Sequence, residues 1–140
     1  MASILSQFKQ ISDAFAAGVE DAVQEAASEA TLELVERTPV KLGTARINWI
    51  ASLGSPQSHF EDGPGTTDRT LNGGVAAAVS LSKALAVIRR FRLSHVSINL
   101  CNSTPYIIDL DTGSSTQAPA GMTSFGAKAA EDVLKRHKII

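Results

Sequence analysis

Asp109 and Asp111 are the two residues in this chain whose type and spacing come nearest to chemistry. If 105–110 is a strand, side chains two apart share a face, and both carboxylates point the same way. Such a pair can hold a divalent cation or act as acid and base. Two carboxylates alone make a weak site, however, and an acidic rim that meets a basic neighbour or water is the stronger reading. His59 and Asp62 offer a second pairing, but no nucleophile motif accompanies them. His95 falls on the polar face of a strand pattern, where a lone imidazole is more often a surface residue than a ligand. Cys101 is the single cysteine. It allows no intrachain disulfide and reads as a buried strand residue. No Cys/His set goes with it, so no metal site is expected. P-loop, Gly-x-Gly-x-x-Gly, His-Glu-x-x-His and Gly-x-Ser-x-Gly patterns are absent. These observations point away from an enzyme and imply no cofactor.

The elements that would position these residues emerge from length, charge and periodicity. A chain of 140 residues is read as one domain over 1–140, large enough to bury a core without staples. Thirteen basic residues against fourteen acidic ones argue against a dedicated nucleic-acid binder. There is no basic segment followed by an apolar run at the start, and no stretch of about 18 apolar residues, so neither a signal peptide nor a membrane span is expected. The expectation is a soluble protein of a reducing cytoplasm. Charge is segregated. Residues 1–37 carry Asp13, Glu20, Asp21, Glu25, Glu29, Glu33 and Glu36 against Lys9 and Arg37. Residues 83–92 carry Lys83, Arg89, Arg90 and Arg92, and the last residues include Lys135, Arg136, His137 and Lys138. In an oligomer, such faces can meet across subunits and set register.

Residues 4–37 form one amphipathic helix by periodicity. Ile4, Phe8, Ile11, Phe15, Val19, Val23, Ala26, Ala30 and Leu34 recur at helical steps and are expected to face the core. Ala22, Ala26 and Ala30 leave room for a close neighbour, Gly18 is a potential kink, and Thr38-Pro39 ends the helix. A linker over 40–46 leads to a strand over 47–54. Residues 55–74 are dense in Gly, Pro, Ser and Asn and read as a long exposed loop. A helix over 75–91, a strand over 94–101, a third strand over 105–110 and a helix from 121 to 137 complete the chain. The fold class is α+β: a long first helix, a small antiparallel sheet with helices on one face, and a final helix. So small a sheet leaves a free edge that must be covered or used.

The stretch from Asn102 to Met122 carries a resemblance. Asn102, Pro105, Tyr106, Asp111, Gly113, Ser114, Gln117, Ala118, Pro119, Gly121 and Met122 match, in order, a segment of the tail-completion or minor tail proteins of tailed bacteriophages, the minor tail protein Z-like class. There a strand of the form Asn-x-x-Pro-Tyr and an acid before Gly lead into Ser-x-Gln-Ala-Pro-x-Gly-Met and a final helix. Val40 to Trp49 resembles, in part, a second motif of that class, with Arg46 as its basic residue. The likeness runs in order over roughly 37–135 and is most specific at 102–122.

The resemblance implies a structural virion protein of the neck or tail, assembled in the host bacterial cytoplasm. It implies a homo-oligomeric ring, expected to be sixfold, that meets the tail tube or terminator and the head-tail connector and takes part in tail completion and head-tail joining. DNA would pass through its channel without specific binding, as suits a chain without basic excess. The acidic face of helix 4–37 is a candidate lining for that channel. The interface residues it implies are Arg46, Asp109, Asp111, Gly113, Ser114, Gln117, Pro119 and Met122, with 111–122 as an interface loop that ends by capping the last helix. The rival reading is a small α+β ligand-binding or regulatory module with 55–74 as a mobile lid. An enzyme built on Asp109 and Asp111 ranks third.

Overall fold

A computed structural model describes residues 3–39, 44–60, 69–113 and 121–140, without the side chains of 69–76. Ile4–Arg37 is one helix, α1. The Ser3 hydroxyl accepts the amide of Ser6 at 3.1 Å and so caps its start. The helix runs unbroken through Gly18, where an added Cβ would meet nothing within 4 Å. It ends at Thr38 in extended backbone, as the following proline requires. The linker region holds a short helix, α2 (Thr44–Ile47), which feeds β1 (Trp49–Leu53).

A further helix, α3, spans Arg69–Ile88. It starts six residues before the position read from periodicity and takes in Gly73 and Gly74. Two glycines cost a helix about 2 kcal/mol, a sum the burial of Ala84 and Ile88 further along offsets. Of the residues read as a loop, 69–74 are therefore helical, 55–60 are exposed, and 61–68 lie outside the described residues. After a 3-10 turn at Leu93–His95 comes β2 (Ile98–Asn102), which starts later than the alternation suggested; Val96 is exposed with φ 73°. The two strands pair antiparallel, with Trp49 opposite Asn102, Ala51 opposite Leu100 and Leu53 opposite Ile98. Cys101 lies in β2 opposite Ile50 and is half-buried rather than buried.

The third expected strand is a helix. Residues Ile107–Thr112 form α4, so among the described residues the sheet has two strands. The pair Ile107-Ile108 has strand propensity, but the flanks are those of a helix. Pro105 precedes the first turn and Gly113 ends the last in the left-handed region, φ 99°. Ile107 and Leu110, three apart, turn to the core, while Ile108 is 74% exposed. Tertiary burial of an i, i+3 pair outweighs β propensity here.

The final helix, α5 (Met122–Arg136), runs antiparallel to the second half of α1: Met122 meets Thr38, Gly126 meets Ala30 and Leu34, and His137 meets Glu25. The small residues of α1 serve the close approach expected of them. On the other side of α1, Ala27 packs with Ala51, Ala84 and Ile88. Leu34 and Val35 pack with Trp49 and Met122 in the second part of the core. The fold is α+β, with a two-stranded sheet that depends on its helices, since a lone hairpin is marginal in water.

One expectation about α1 fails. Ala22 is the first buried residue along it, and Ile4, Phe8, Ile11 and Phe15 are exposed. Their periodicity marks an apolar face correctly, but no element of the described chain covers it.

Candidate interface where the last two helices meet

Asn102 closes β2 and fixes the turn into α4. Its Nδ2 donates to the carbonyl of Ala45 at 2.7 Å, and its Oδ1 accepts the amide of Thr104 at 3.0 Å. Local turns of this kind suit Asn. The amide of Ile107 then donates to the carbonyl of Thr104, which starts α4. Thr104 is buried, and its hydroxyl has no hydrogen-bond partner among the described residues. Tyr106 and Ile108 stand outward.

Asp111 is the organising residue of this region. Its Oδ1 accepts the amide of Thr123 at 3.0 Å and its Oδ2 accepts the Thr123 hydroxyl at 2.6 Å. Its backbone carbonyl accepts the amide of Gly121 at 2.7 Å. One residue of α4 thus caps the start of α5, where a carboxylate also suits the helix dipole. These three bonds tie together the two ends of segment 112–120. Gly113, at the C-terminal end of α4, takes a left-handed conformation that residues with a Cβ adopt only at a cost. Ser114, Gln117 and Pro119 lie outside the described residues.

The helical form of 107–112 corrects the carboxylate pair. Residues two apart on a helix point about 200° away from each other, so Asp109 and Asp111 do not share a face. Asp109 is exposed, while Asp111 turns to α5. Among the described residues no group of three or more His, Cys, Asp or Glu side chains could hold a metal ion. His95 accepts the amide of Arg92 on Nδ1 at 2.9 Å. Asp62 lies outside the described residues, so the His59 pairing does as well.

Met122 and Arg46 also have structural employment within one chain. Met122 is 2% exposed and packs on Leu34, Val35 and Trp49, so it supports the core rather than a partner's surface. The start of α5 is turned inward by the Asp111 cap, and the first apolar residue after Gly121 goes with it. The Arg46 Nε donates to the carbonyl of Thr38 at 2.9 Å, and Nη2 to that of Glu36 at 3.0 Å. These carbonyls are left over at the end of α1, where a cation is favoured. Burial lowers the guanidinium from its usual value, and Glu36 opposes that shift.

What remains on the surface is a patch of Tyr106, Ile108 and Asp109 beside a shallow 250 Å³ groove lined by Trp49, Asn102, Ile107, Ile108, Asp111 and Thr123. An apolar rim beside backbone turns suits a protein contact better than small-molecule chemistry. No protein-family model, no curated protein and no solved structure matches this chain. No helix among the described residues is long and apolar enough to cross a membrane.

The segregated charges meet partly within one chain. Glu25 of α1 receives Arg136 Nη2 at 3.1 Å and lies 2.6 Å from His137 Nε2. The hydrogen bond with His137 holds the Glu25 carboxyl below its usual value, against desolvation and with smaller charge contributions from His137 and Arg136. A depressed carboxylate contributes stability that is present above its unfolded value and lost as pH falls through the folded one. Glu25→Gln is therefore expected to lower the melting temperature at neutral pH and to leave it equal to wild type once pH lies below the folded value. Thermal melts along a pH series check this; a difference that persists undiminished in acid contradicts it.

Proposed function

We propose that this chain is a structural subunit of a tailed-bacteriophage particle. It is one copy in a ring, expected to be sixfold, at the neck or tail terminus, where tails are completed and joined to heads around the DNA path. The observation that carries this reading is the ordered pattern of residue types from Asn102 to Met122, in which Asp111 bonds to Gly121 and Thr123 and Gly113 ends α4. The bonds of Asp111 to Gly121 and Thr123 hold α4 and α5 together on either side of the part of the pattern that carries Ser114, Gln117 and Pro119. The α+β class agrees with the resemblance. So does the near-neutral charge, since each phosphate contact would hold DNA that a conduit must release. The partners of this reading are further copies of the chain, the tail tube or its terminator, and the head-tail connector.

The rival, a small ligand-binding module, has two hollows beside β1 behind it: one of 170 Å³ that reaches His59 and Lys83, and a more open one of 440 Å³ lined by Ser52, Gln57, Arg90 and His95 among others. The first falls below the roughly 300–1,000 Å³ typical of ligand pockets, and the second is within that range but wide open to solvent where such pockets enclose most of their ligand, so we rank this reading second.

The test is made in particles. Deletion of the coding sequence from its own genome is expected to give filled heads and unjoined tails, or tubes of uncontrolled end structure. Electron microscopy of complemented particles should place the chain in a ring on the tail axis. Complementation with Gln117→Ala/Pro119→Ala should fold and fail to restore joining. A chain missing from purified particles, or present in them as a lone copy, overturns the proposal.

A further inference from the structure

Residues 4–18 of α1 form an arm with no buried side chain. Ile4, Leu5, Phe8, Ile11 and Phe15 are each between 70% and 82% exposed. Ile4, Phe8, Ile11 and Phe15 are spaced by steps of four, three and four, the spacing of a helix–helix seam. An exposed apolar patch of several hundred Å² marks an interaction surface, and helices in proteins draw most of their stability from packing such a face.

We propose that this arm packs along its Ile4–Phe8–Ile11–Phe15 seam against the same seam of a second copy of the chain. The residues around the seam fit that occupant. With Phe8 and Phe15 at the first core position of the heptad and Ile4 and Ile11 at the second, the flanking positions are Leu5, Gln7, Ser12 and Ala14. All are uncharged, so two identical arms meet without like-charge repulsion. The two charges of the arm, Lys9 and Asp13, lie on the outer side and bond to each other at 2.6 Å. A different partner would have to supply a neutral apolar stripe of its own; a second copy carries one already.

The area suits a weak contact. Five large apolar side chains at this exposure leave on the order of 100 Å² each. That is at most about 500 Å² per copy and about 1,000 Å² for a pair, the size of a weak, concentration-dependent association. The contact rests on the seam and not on the virion assignment.

The test uses the full chain. Sedimentation equilibrium over a concentration series is expected to show wild type at twice the mass of one chain or more. Phe8→Glu/Phe15→Glu is expected to weaken association at least about 100-fold, as loss of two central aromatic anchors should. The control Gln10→Glu/Ala17→Glu, on the outer side, should associate as wild type does. Among the described residues, 4–15 are all exposed and so is Ala17, so the melting temperature of the folded body should be the same in all three at low concentration. In a Cys101→Ser background, oxidation should link copies through Ile11→Cys and not through Gln10→Cys. A wild type that stays monomeric throughout overturns the inference, whether the arm is bare or covered by the chain's own residues, and leaves the ring reading to the particle experiment. Association untouched by Phe8→Glu/Phe15→Glu overturns it too, and assigns the contact between copies to another surface.

Discussion

Gly126→Val is expected to destabilise the fold by about 3 kcal/mol, the upper range for forcing atoms into a packed core. A Cβ at Gly126 would lie 3.0 Å from Leu34 Cγ, 3.2 Å from Leu34 Cδ2 and 3.4 Å from the carbonyl oxygen of Ala30. None of these can move freely. Leu34 is buried among Val35, Trp49 and Met122, and the Ala30 carbonyl belongs to the backbone of α1. The two helices would have to separate, and this crossing ties α5 to the rest of the molecule. For a chain of this size the loss corresponds to a drop in melting temperature of about 10 °C. Gly126→Ala should fall well short of that, since a gain of about 1 kcal/mol in helix propensity offsets part of the crowding. Thermal melts and urea titrations give both values. A valine variant that melts within about 2 °C of wild type would show that α5 does not depend on this approach.

Thr38→Val should cost about 2 kcal/mol, although it preserves shape. Thr38 sits fully buried where α1 ends, and its hydroxyl serves two groups. It donates to the carbonyl of Leu34 at 2.5 Å and accepts the indole N–H of Trp49 at 2.8 Å. Valine removes the acceptor and strands a buried indole N–H, a penalty of about 1–3 kcal/mol. The Leu34 carbonyl suffers less, since it keeps the Thr38 amide at 3.1 Å. Trp49→Phe in the valine background removes the stranded donor, so the double variant should lose less than the sum of the two single variants. The difference, about 1 kcal/mol, is the coupling of the pair. Trp49 is the single tryptophan, so its fluorescence tracks unfolding in every protein of the cycle that keeps it, and far-UV circular dichroism serves the others. Additivity within about 0.3 kcal/mol would mean that the shared hydroxyl contributes nothing.

Both predictions rest on the second half of α1, whose environment was readable from residue types. Alanines at 22, 26 and 30 announced a close neighbour, and Thr38-Pro39 announced the end of the helix. Elsewhere the same kind of signal misled. Ile107-Ile108 looked like strand because β-branched residues favour it. Placed after Pro105 and before Gly113, they form a turn and a half of helix, which divides Asp109 from Asp111 and turns the latter into a cap for α5. The segregation of acid from base was also legible, but its use was not. Glu25 finds Arg136 and His137 in its own chain because α5 folds back along α1.

Sequence alone determined the extent of α1, the existence of two strands and of the final helix, and the α+β class, because periodicity, helix stops and turn residues act over a few neighbours. It also marked Ile4, Phe8, Ile11 and Phe15 as one apolar face. Whether that face is core or surface was decided by the tertiary structure alone. Periodicity reports that one side of a helix is apolar, not what lies opposite it, and α5 covers α1 only along its second half. Met122 and Arg46 show the same limit: a flexible apolar side chain and a cation serve a partner or their own core equally well until the fold brings Leu34 and the carbonyl of Thr38 within reach.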